Sequence, residues 1–314
     1  MTTGARKRIA IALGDANGIG PEIAVKAALA LRDEPVDVVL VGDAYVLQAQ
    51  LDRMGEGADA VTIADVPALP RDAFVPGQVR AEAGAATVAY VRAAVEMAQR
   101  GEVDAVVGCP HSETSIHQAG ISFSGYPGLI AELTGTASDQ VFLLLVCPDL
   151  KIGHVTLHEP LTTALARLTP DLVVDAAVAV ADAMGALGIP NPRMGVFGIN
   201  PHAGEDGLFG TEDETITKPA VARLRERGLQ VDGPIGADLL LSQRKHDVYL
   251  AMYHDQGHIP VKLLSPLQSS ALSVGGGVFF SSVGHGCAFD IAGRGVADAT
   301  ATIRTVRSLA GLRG

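Results

Sequence analysis

The sequence predicts an α/β protein built on mostly parallel sheet, and three observations lead to that prediction. Short apolar runs, which indicate buried strands, alternate along the chain with Ala-rich segments of helical periodicity. The chain has 314 residues, 48% of them hydrophobic, so it can bury a large core, and its length favours two domains over one. Polar clusters recur where the apolar runs end, which is where open parallel sheets bind their ligands.

Each element is predicted in turn from its own pattern. Residues 9–13 predict the first strand, and Pro21 favours the start of a helix just after it. Further apolar runs predict strands at 36–43, 103–110, 141–147, 151–157, 194–200 and 247–255. Helical periodicity predicts helices at 83–100, 161–187, 213–227 and 299–309. Alternation of this kind favours parallel strands with helices on both faces of the sheet.

Charge and composition exclude several classes of function. The formal net charge is −11 and the isoelectric point about 5.2, so the surface repels phosphate backbones and nucleic acid is not an expected partner. The apolar run at 9–13 is too short for a signal peptide, and no window approaches a membrane span. The cysteines, Cys109, Cys147 and Cys287, are odd in number and far apart, which fits a reducing cytoplasm. We therefore expect a cytoplasmic protein that binds no membrane.

Three histidines stand just past predicted strands and suggest a metal site. They are His158 in TLHEP, His202 in NPHAGE and His254 in YHDQG. One histidine at a strand end is more often a polar loop residue, but three imidazoles together suit a divalent transition metal with open positions for substrate oxygens. Acidic neighbours could orient the rings: Glu159, Glu205 and Asp255. His154 lies four residues before His158, about 13 Å away on a continuous strand, so we do not expect the two to share an ion.

Two glycine-rich stretches carry weaker signals. GDANGIGPE at 14–22 links a strand to a helix, but it lacks both the GxGxxG spacing and the GK[ST] of a phosphate loop. The stretch at 281–301 is dense in glycine, which allows backbone to approach a ligand closely. A run of tight turns explains it equally well.

Four motifs together resemble one known family. GDANGIGPEI, GINPHAGE, YHDQGHIPVK and HGCAFDIAGRGVADA are similar to the PdxA family of metal- and NAD-dependent dehydrogenases, whose name-giving members oxidise 4-hydroxythreonine 4-phosphate. The resemblance covers nearly the whole chain. It implies the isocitrate/isopropylmalate dehydrogenase fold, with two α/β/α domains around a central cleft, in a homodimer whose subunits share the active site. It places a cofactor-side domain at 1–125 plus 263–314, and a metal, substrate and dimerisation domain at 126–262.

The resemblance also implies roles for individual residues. A divalent metal (Zn, Co, Ni, Mn or Mg) would bind His158, His202 and His254. HGCAFDIAG resembles the stretch of isopropylmalate and isocitrate dehydrogenases that wraps the cofactor adenosine. NAD or NADP would accordingly contact these residues: His285, Gly286, Asp290 and Gly293. Lys262 would contact the substrate carboxylate or move a proton, and Asp238 in the GAD motif would assist it.

Departures from the family pattern point to a different substrate. The phosphate-substrate enzymes carry Gly-His-Thr where this chain has Gly125-Tyr126-Pro127, and Asn and Arg where it has Ala271 and Phe280. A phosphate dianion needs charge-assisted donors, which these replacements remove. Tyr126 and Phe280 would suit a flat apolar ring. The expected substrate contacts are Tyr126, Pro127, His111, Lys262, Ala271 and Phe280, with His111 facing a distal carboxylate.

The stretches PHSETSIHQAGISFSGYP and GHIPVKLL resemble one branch of the family, the terephthalate cis-dihydrodiol dehydrogenases. Those enzymes oxidise and decarboxylate a small carboxylate substrate in aromatic catabolism, forming protocatechuate. In the corresponding mechanism a Lewis-acidic metal eases hydride transfer from the substrate hydroxyl, and the β-keto acid then loses CO2. Two alternatives stay open: a dehydrogenase of 4-hydroxythreonine 4-phosphate or a related four-carbon acid-sugar phosphate, and a non-catalytic binding protein on the same scaffold.

Overall fold

A computed structural model describes residues 6–123, 125–265 and 269–312. Its strands are β1 (Lys7–Ala12), β2 (Val36–Gly42), β3 (Thr62–Asp65), β4 (Ala105–Gly108), β5 (Phe142–Cys147), β6 (Leu150–His154), β7 (Met194–Phe197), β8 (Val231–Ile235), β9 (Val248–Ala251), β10 (Ser270–Val274) and β11 (Phe280–Val283). Its α-helices are α1 (Gly20–Leu31), α2 (Ala44–Met54), α3 (Ala81–Gln99), α4 (Glu113–Gln118), α5 (Tyr126–Thr134), α6 (Leu161–Arg167), α7 (Pro170–Ala186), α8 (Lys218–Glu226), α9 (Ala237–Gln243), α10 (His254–Leu264) and α11 (Thr300–Leu309). None of the helices in these ranges is long and apolar enough to cross a membrane.

The first compact unit comprises Met1–Thr134 and Gly277–Gly314. Its strands are parallel and follow the order β3-β2-β1-β4-β11. Helix α1 packs against α2 and α11, and α3 packs against α4 and α5. Strand β4 and the part of β1 from Ile9 onwards are apolar and buried, because a parallel sheet covered by helices buries both of its faces.

The second compact unit comprises Gly135–Gly276. Its strands follow the order β10-β5-β6-β9-β7-β8. Strand β5 pairs antiparallel with both β10 and β6, whereas β6, β9, β7 and β8 are parallel to one another. Helix α7 packs on β5, β6 and β10, and α10 packs on β5, β6 and β9. A core cluster that includes Ile152, Phe197 and Val261 lies beneath α10 and fixes its position on the sheet.

The α/β prediction is confirmed, and the differences in detail have local causes. The helix predicted at 161–187 is two helices, because Pro170 starts α7 and the hydroxyl of Thr169 caps it by accepting from the N–H of Leu172 at 3.1 Å. The unit boundaries fall later than the resemblance placed them. Residues 126–134 form α5, which packs on α3, and residues 263–276 contain β10, which pairs with β5.

Candidate active site

Three adjacent parallel strands, β6, β9 and β7, end at one edge of the second unit's sheet. The predicted metal ligands follow these strand ends: His158 after β6, His254 after β9 and His202 after β7. Parallel strands present their carboxyl ends at a common edge, so side chains far apart in sequence are brought to the same side of the sheet. The centroids of the His158 and His254 rings lie 5.2 Å apart.

Carboxylates lie beside Nδ1 of His254 and of His202. Nδ1 of His254 lies 2.7 Å from Oδ1 of Asp255, and Nδ1 of His202 lies 3.0 Å from Oε2 of Glu205. An imidazole that donates its Nδ1 proton to a carboxylate keeps an unprotonated Nε2, which is the form that binds a metal. These two contacts match the orienting role expected of Asp255 and Glu205.

An open cavity of about 350 Å³ adjoins His158 and His254. Glu159, the third carboxylate expected to orient a ring, forms an ion pair with Arg167 at 2.7 Å. The cavity is lined by the two imidazoles and by Glu159 and Asp255, together with apolar side chains that include Leu157. A pocket with this lining suits a small polar ligand that keeps an apolar face.

His202 lies on a strained turn that a buried carboxylate secures. The short 3₁₀ turn Pro201–Gly204 contains left-handed backbone at His202, with φ of 53°, and such residues persist only where their surroundings hold them. Asp213 has no exposed surface and accepts hydrogen bonds from the backbone N–H groups of residues 199–200, at 2.8 and 2.9 Å. Sequence reasoning missed this anchor, because nothing in the pattern around Asp213 indicates burial.

The donor set suits a divalent metal even though one chain does not complete a cluster. Among residues 6–123, 125–265 and 269–312, no group of three His, Cys, Asp or Glu side chains could hold an ion. His158 and His254 are adjacent, and two imidazoles with a carboxylate behind one of them match the preferences of Zn, Co, Ni or Mn. The side chain of His202 is 70% exposed and packs beside Phe209, with 5.8 Å between ring centroids. Its assignment as the third ligand stays a prediction.

Helix α10 presents a row of functional side chains that sequence reasoning treated as a loop after a strand. His254, His258 and Lys262 recur every fourth residue and so share one face of the helix. The rings of His254 and His258 stack at 3.7 Å and 12°, and Nδ1 of His258 lies 3.1 Å from Nε2 of the fully buried His154. Burial lowers the pKa of His154 to about 3 and the pKa of His258 to about 4, with the neighbouring imidazoles acting in the same direction.

Lys262 and Asp238, the residues expected to move protons, have different surroundings. The ammonium of Lys262 donates to the hydroxyl of Ser269 at 3.1 Å, and partial burial lowers its pKa. Asp238 is exposed in the first turn of α9, and within the described part of the chain no hydrogen bond joins it to Lys262. Ala271 is half-buried in β10 and packs against the core beneath α10.

The first unit holds an aromatic cluster at the end of β4. His111 packs edge-on against Phe123 at 4.9 Å and Tyr126 at 4.5 Å, and Tyr126 contacts Phe280 at 4.6 Å between centroids. Phe280 has no exposed surface, and the hydroxyl of Tyr126 donates internally to the carbonyl of Cys109 at 3.2 Å. Tyr126 therefore packs against His111 and Phe280 packs against Tyr126, whereas the sequence led us to expect both rings on the surface of a pocket.

Pro127 and His111 are the remaining expected substrate contacts in this region. Pro127 is the second residue of α5 and is half-buried. Burial lowers the pKa of His111, so at neutral pH its ring offers a hydrogen bond without a charge.

The GDANGIG loop proves to be a close-packed turn. A Cβ on Gly14, where φ is 68°, would lie 2.7 Å from the carbonyl oxygen of Cys109, and one on Gly18 would lie 2.8 Å from Cβ of Cys287. Asn17 is buried and its side chain donates to the carbonyl of Ala73 at 3.1 Å. The glycines are thus required by packing, as the absence of a phosphate-loop spacing indicated.

The predicted cofactor stretch is ordered and partly open. Asp290 is exposed and His285 is half-buried, and a side chain on Gly286 would meet no atom within 4 Å. Gly293 adopts φ of 75°, and its carbonyl accepts from the guanidinium of Arg53 at 2.7 Å. An exposed carboxylate beside accessible glycine backbone suits the ribose of a dinucleotide, so the residues present fit a nicotinamide cofactor.

Glu22 secures the far end of this stretch, and sequence reasoning did not find it. Only 1% of Glu22 is exposed, and its carboxylate accepts from the N–H groups of Ala297 at 2.7 Å and Gly295 at 3.2 Å. Lys26 donates to the same carboxylate at 2.7 Å. The signal was available in part, because an acidic residue directly after Pro21 in a first helical turn is ordinarily exposed, and here the surrounding run is apolar.

Comparison with known proteins matches nearly the full chain to one family. Residues 22–309 match the family described as "Pyridoxal phosphate biosynthetic protein PdxA". The chain is 52% identical over 306 residues to a 1,2-dihydroxy-3,5-cyclohexadiene-1,4-dicarboxylate dehydrogenase from Comamonas sp., covering 96% of this chain and 97% of that protein.

Solved structures give the same grouping. A terephthalate 1,2-cis-dihydrodiol dehydrogenase from Burkholderia xenovorans is 49% identical, with a TM-score of 0.78 over 97% of this chain and 98% of the other. A 4-hydroxythreonine-4-phosphate dehydrogenase from Burkholderia phymatum is 36% identical, with a TM-score of 0.84 over 99% and 100%. A β-decarboxylating dehydrogenase from Thermococcus kodakarensis, 16% identical with a TM-score of 0.52 over 98% and 84%, shares the fold.

Proposed function

The chain belongs to the PdxA family, and from that premise we propose that it oxidises terephthalate 1,2-cis-dihydrodiol and decarboxylates the product to protocatechuate. The oxidoreductase class is supported by relatives that are dehydrogenases over almost their whole length. The substrate is supported by the similarity to dihydrodiol dehydrogenases and by the loss of phosphate donors.

One observation carries the choice of substrate. The phosphate-substrate enzymes carry His and Arg at the positions of Tyr126 and Phe280. In this chain the hydroxyl of Tyr126 donates to the carbonyl of Cys109, and Phe280 is wholly buried. Neither side chain can donate to a phosphate, which needs charged or strongly polar donors. A cyclic dicarboxylate makes no such demand on these two positions.

Residues on the two units would hold the two groups that the reaction needs. His158, His202 and His254 would hold a divalent metal, which when bound supplies Lewis acidity towards a hydroxyl and a carboxylate. The stretch from His285 to Gly293 would hold NAD or NADP, which supplies the hydride acceptor. Asp255 and Glu205 keep Nε2 of two histidines unprotonated and thereby maintain the donor set.

The proposed reaction has two chemical steps, an oxidation and a decarboxylation. Oxidation removes a hydride from the carbinol carbon and a proton from its hydroxyl. The resulting β-keto acid breaks its bond to the carboxylate and releases CO2, the electron pair of that bond makes the ring aromatic, and the former ketone oxygen takes up a proton. Lys262 is our assignment for pairing with the carboxylate or moving the proton, because its desolvated ammonium has a neutral hydroxyl as its partner at 3.1 Å. We assign His111 to a distal carboxylate as a neutral donor and Asp238 to the proton path.

We further propose a cytoplasmic homodimer in which the partner subunit completes the metal site. The second unit exposes large apolar side chains on its helices and on the loop after His202: Leu161, Leu165, Leu208, Phe209, Leu239, Ile259, Leu263 and Leu264. Large apolar side chains left exposed in this number favour an association surface. His202 packs beside the exposed Phe209, so covering this surface would also bury His202. The three cysteines are free and buried, which fits a reducing compartment.

A phosphate-ester dehydrogenase is the second candidate, favoured by the TM-score of 0.84 to the 4-hydroxythreonine-4-phosphate enzyme. The test follows NADH formation by absorbance with added Co²⁺ or Mn²⁺, and compares the terephthalate dihydrodiol with 4-hydroxythreonine 4-phosphate. We expect turnover of the diol alone, with one CO2 released per NADH. Turnover of the ester alone would reject the ring substrate, and turnover of neither would support a non-catalytic protein. His202→Ala should abolish metal-dependent turnover of the diol.

A further inference from the structure

A line of three imidazoles runs from the core of the second unit to His254. His154 ends β6 with no exposed surface, and its Nε2 lies 3.1 Å from Nδ1 of His258. The ring of His258 then stacks on the ring of His254 at 3.7 Å, with 12° between their planes. The two inner histidines have no role in the metal set proposed above, yet they contact it directly.

Only one arrangement of protons satisfies all the contacts of the two inner rings. A carbonyl accepts only, so the contact of His154 Nδ1 with the carbonyl of Leu143 at 3.4 Å places the proton of His154 on Nδ1. The contact of His258 Nδ1 with the carbonyl of His254 at 3.2 Å likewise places a proton on Nδ1 of His258. That proton also points to the lone pair on Nε2 of His154, so both rings are satisfied in their neutral forms.

Local packing is built to allow this approach. A Cβ on Gly257 would collide with Nε2 of His154 and lie 2.9 Å from its Cε1, so glycine is needed where α10 crosses the ring. The ring also needs its neighbour, because a buried imidazole nitrogen without a hydrogen bond is costly. His154 therefore requires a donor at position 258, and an apolar ring of the same size would not supply one.

We propose that His258 is a positioning residue for His254, held in place by its hydrogen bond to His154. The stack fixes the plane of the His254 ring from one side, while Asp255 fixes its rotation at 2.7 Å. A metal ligand needs both constraints for its Nε2 to point in one direction. This inference rests on the proposed metal site, and it assigns His258 a task distinct from binding the metal.

Three substitutions separate positioning from ligation. The side-chain amide of His258→Asn can donate from the place of Nδ1, that of His258→Gln reaches the place of Nε2, and His258→Phe keeps only the stack. We expect all three variants to lose about ten- to a hundredfold in the Co²⁺ affinity of the dimer, as removal of an orienting partner does, because Asn and Gln remove the ring that stacks on His254 and Phe removes the hydrogen bond that holds the stack in place. Calorimetric titration of the full-length protein measures this without turnover. Retained affinity in His258→Gln with loss in His258→Asn would show direct ligation and overturn the proposal, as would unchanged affinity in all three.

Nitrogen NMR of the metal-free protein with ¹⁵N-labelled histidine tests the pair independently of the proposed function. We expect Nδ1 protonated and Nε2 unprotonated in both His154 and His258, and a single set of His254 ring signals in the wild type. His258→Asn, which removes the stacked ring, and His258→Phe, which removes the hydrogen bond to His154, should broaden or split the His254 signals. A proton on Nε2 of His258, or His254 signals that are the same in all variants, would overturn the proposal. If the NMR result is as expected but the wild type does not bind Co²⁺, the proposed metal dependence is rejected and the positioning of His254 is not.

Discussion

Asp213→Asn should loosen the turn that carries His202 while leaving the shape of the side chain unchanged. In the wild type, Oδ1 of Asp213 accepts from the N–H of Ile199 at 2.8 Å and from the hydroxyl of Thr217 at 2.6 Å, and Oδ2 accepts from the N–H of Asn200 at 2.9 Å. The asparagine loses the fewest hydrogen bonds when its amide nitrogen takes the place of Oδ2, because only the N–H of Asn200 then faces another donor.

The expected loss of stability follows from these three bonds. Losing one charge-assisted bond costs about 1.5–3 kcal/mol, and the two others weaken by about 1 kcal/mol each on changing from a charged to a neutral acceptor. The sum is about 3.5–5 kcal/mol, enough to release left-handed backbone that costs about 1–3 kcal/mol for each residue. We therefore also expect a loss of about tenfold in Co²⁺ affinity, because His202 would no longer be held in place.

Urea unfolding followed by circular dichroism measures the first effect, and calorimetric titration measures the second. Asp206→Asn is a matched control, since Asp206 lies in the same loop but its side chain is 97% exposed and makes a surface ion pair with Lys218 at 3.4 Å. That variant should stay within about 0.5 kcal/mol of the wild type. A change below about 1 kcal/mol for Asp213→Asn would refute the claim that this carboxylate anchors the turn.

Three further outcomes are expected. Tyr90→Phe removes a 2.5 Å hydrogen bond to Asp43 and should cost about 1.5–3 kcal/mol near neutral pH. Burial raises the pKa of Tyr90, so the folded state keeps a proton that the unfolded chain loses above about pH 10. Denaturant midpoints should therefore show the wild type losing its stability advantage over Tyr90→Phe only above that pH. A constant difference between the two proteins up to about pH 11 would contradict this. Gly257→Ala should lower the thermal midpoint and metal affinity together by pushing α10 away from His154, whereas an unchanged midpoint would show that the helix adapts freely. Glu22→Gln should raise the dissociation constant for NAD about tenfold, near 1.4 kcal/mol, without changing Co²⁺ affinity, and equal losses of both would indicate general unfolding.

Sequence patterns located the strand ends because each strand of a parallel sheet is read from its own apolar run. The positions of His158 and His254 after β6 and β9 followed from that reading, and the pairing of those strands brought the rings within 5.2 Å. Strand β8 was missed, since Gly233 and Pro234 interrupt its pattern, and such residues are tolerated at the edge of a sheet where β8 lies.

Helix α10 was missed for a different reason. Pro260 argues against a helix interior, and the polar run HDQGH suggested a loop. The spacing of His254, His258 and Lys262 at four-residue intervals was the signal that favoured a helix, because a helix brings residues four apart into contact on one face, whereas a strand separates them by about 13 Å. The burial of Phe280 could not be read locally, since it depends on pairing with Val106 across more than 170 residues of sequence.

The same long-range dependence explains why His154 looked unrelated to the site. On a continuous strand it would lie far from His158, but β6 ends at His154 and the chain turns there. The residue then meets the site through α10, whose glycine at 257 admits its ring and whose histidine at 258 supplies the proton that its buried nitrogen needs. A leucine at position 154 would bury more easily than an imidazole that requires two partners. The hydrogen bond to His258, and through it the orientation of His254, is what the structure gains from keeping a polar ring in this core.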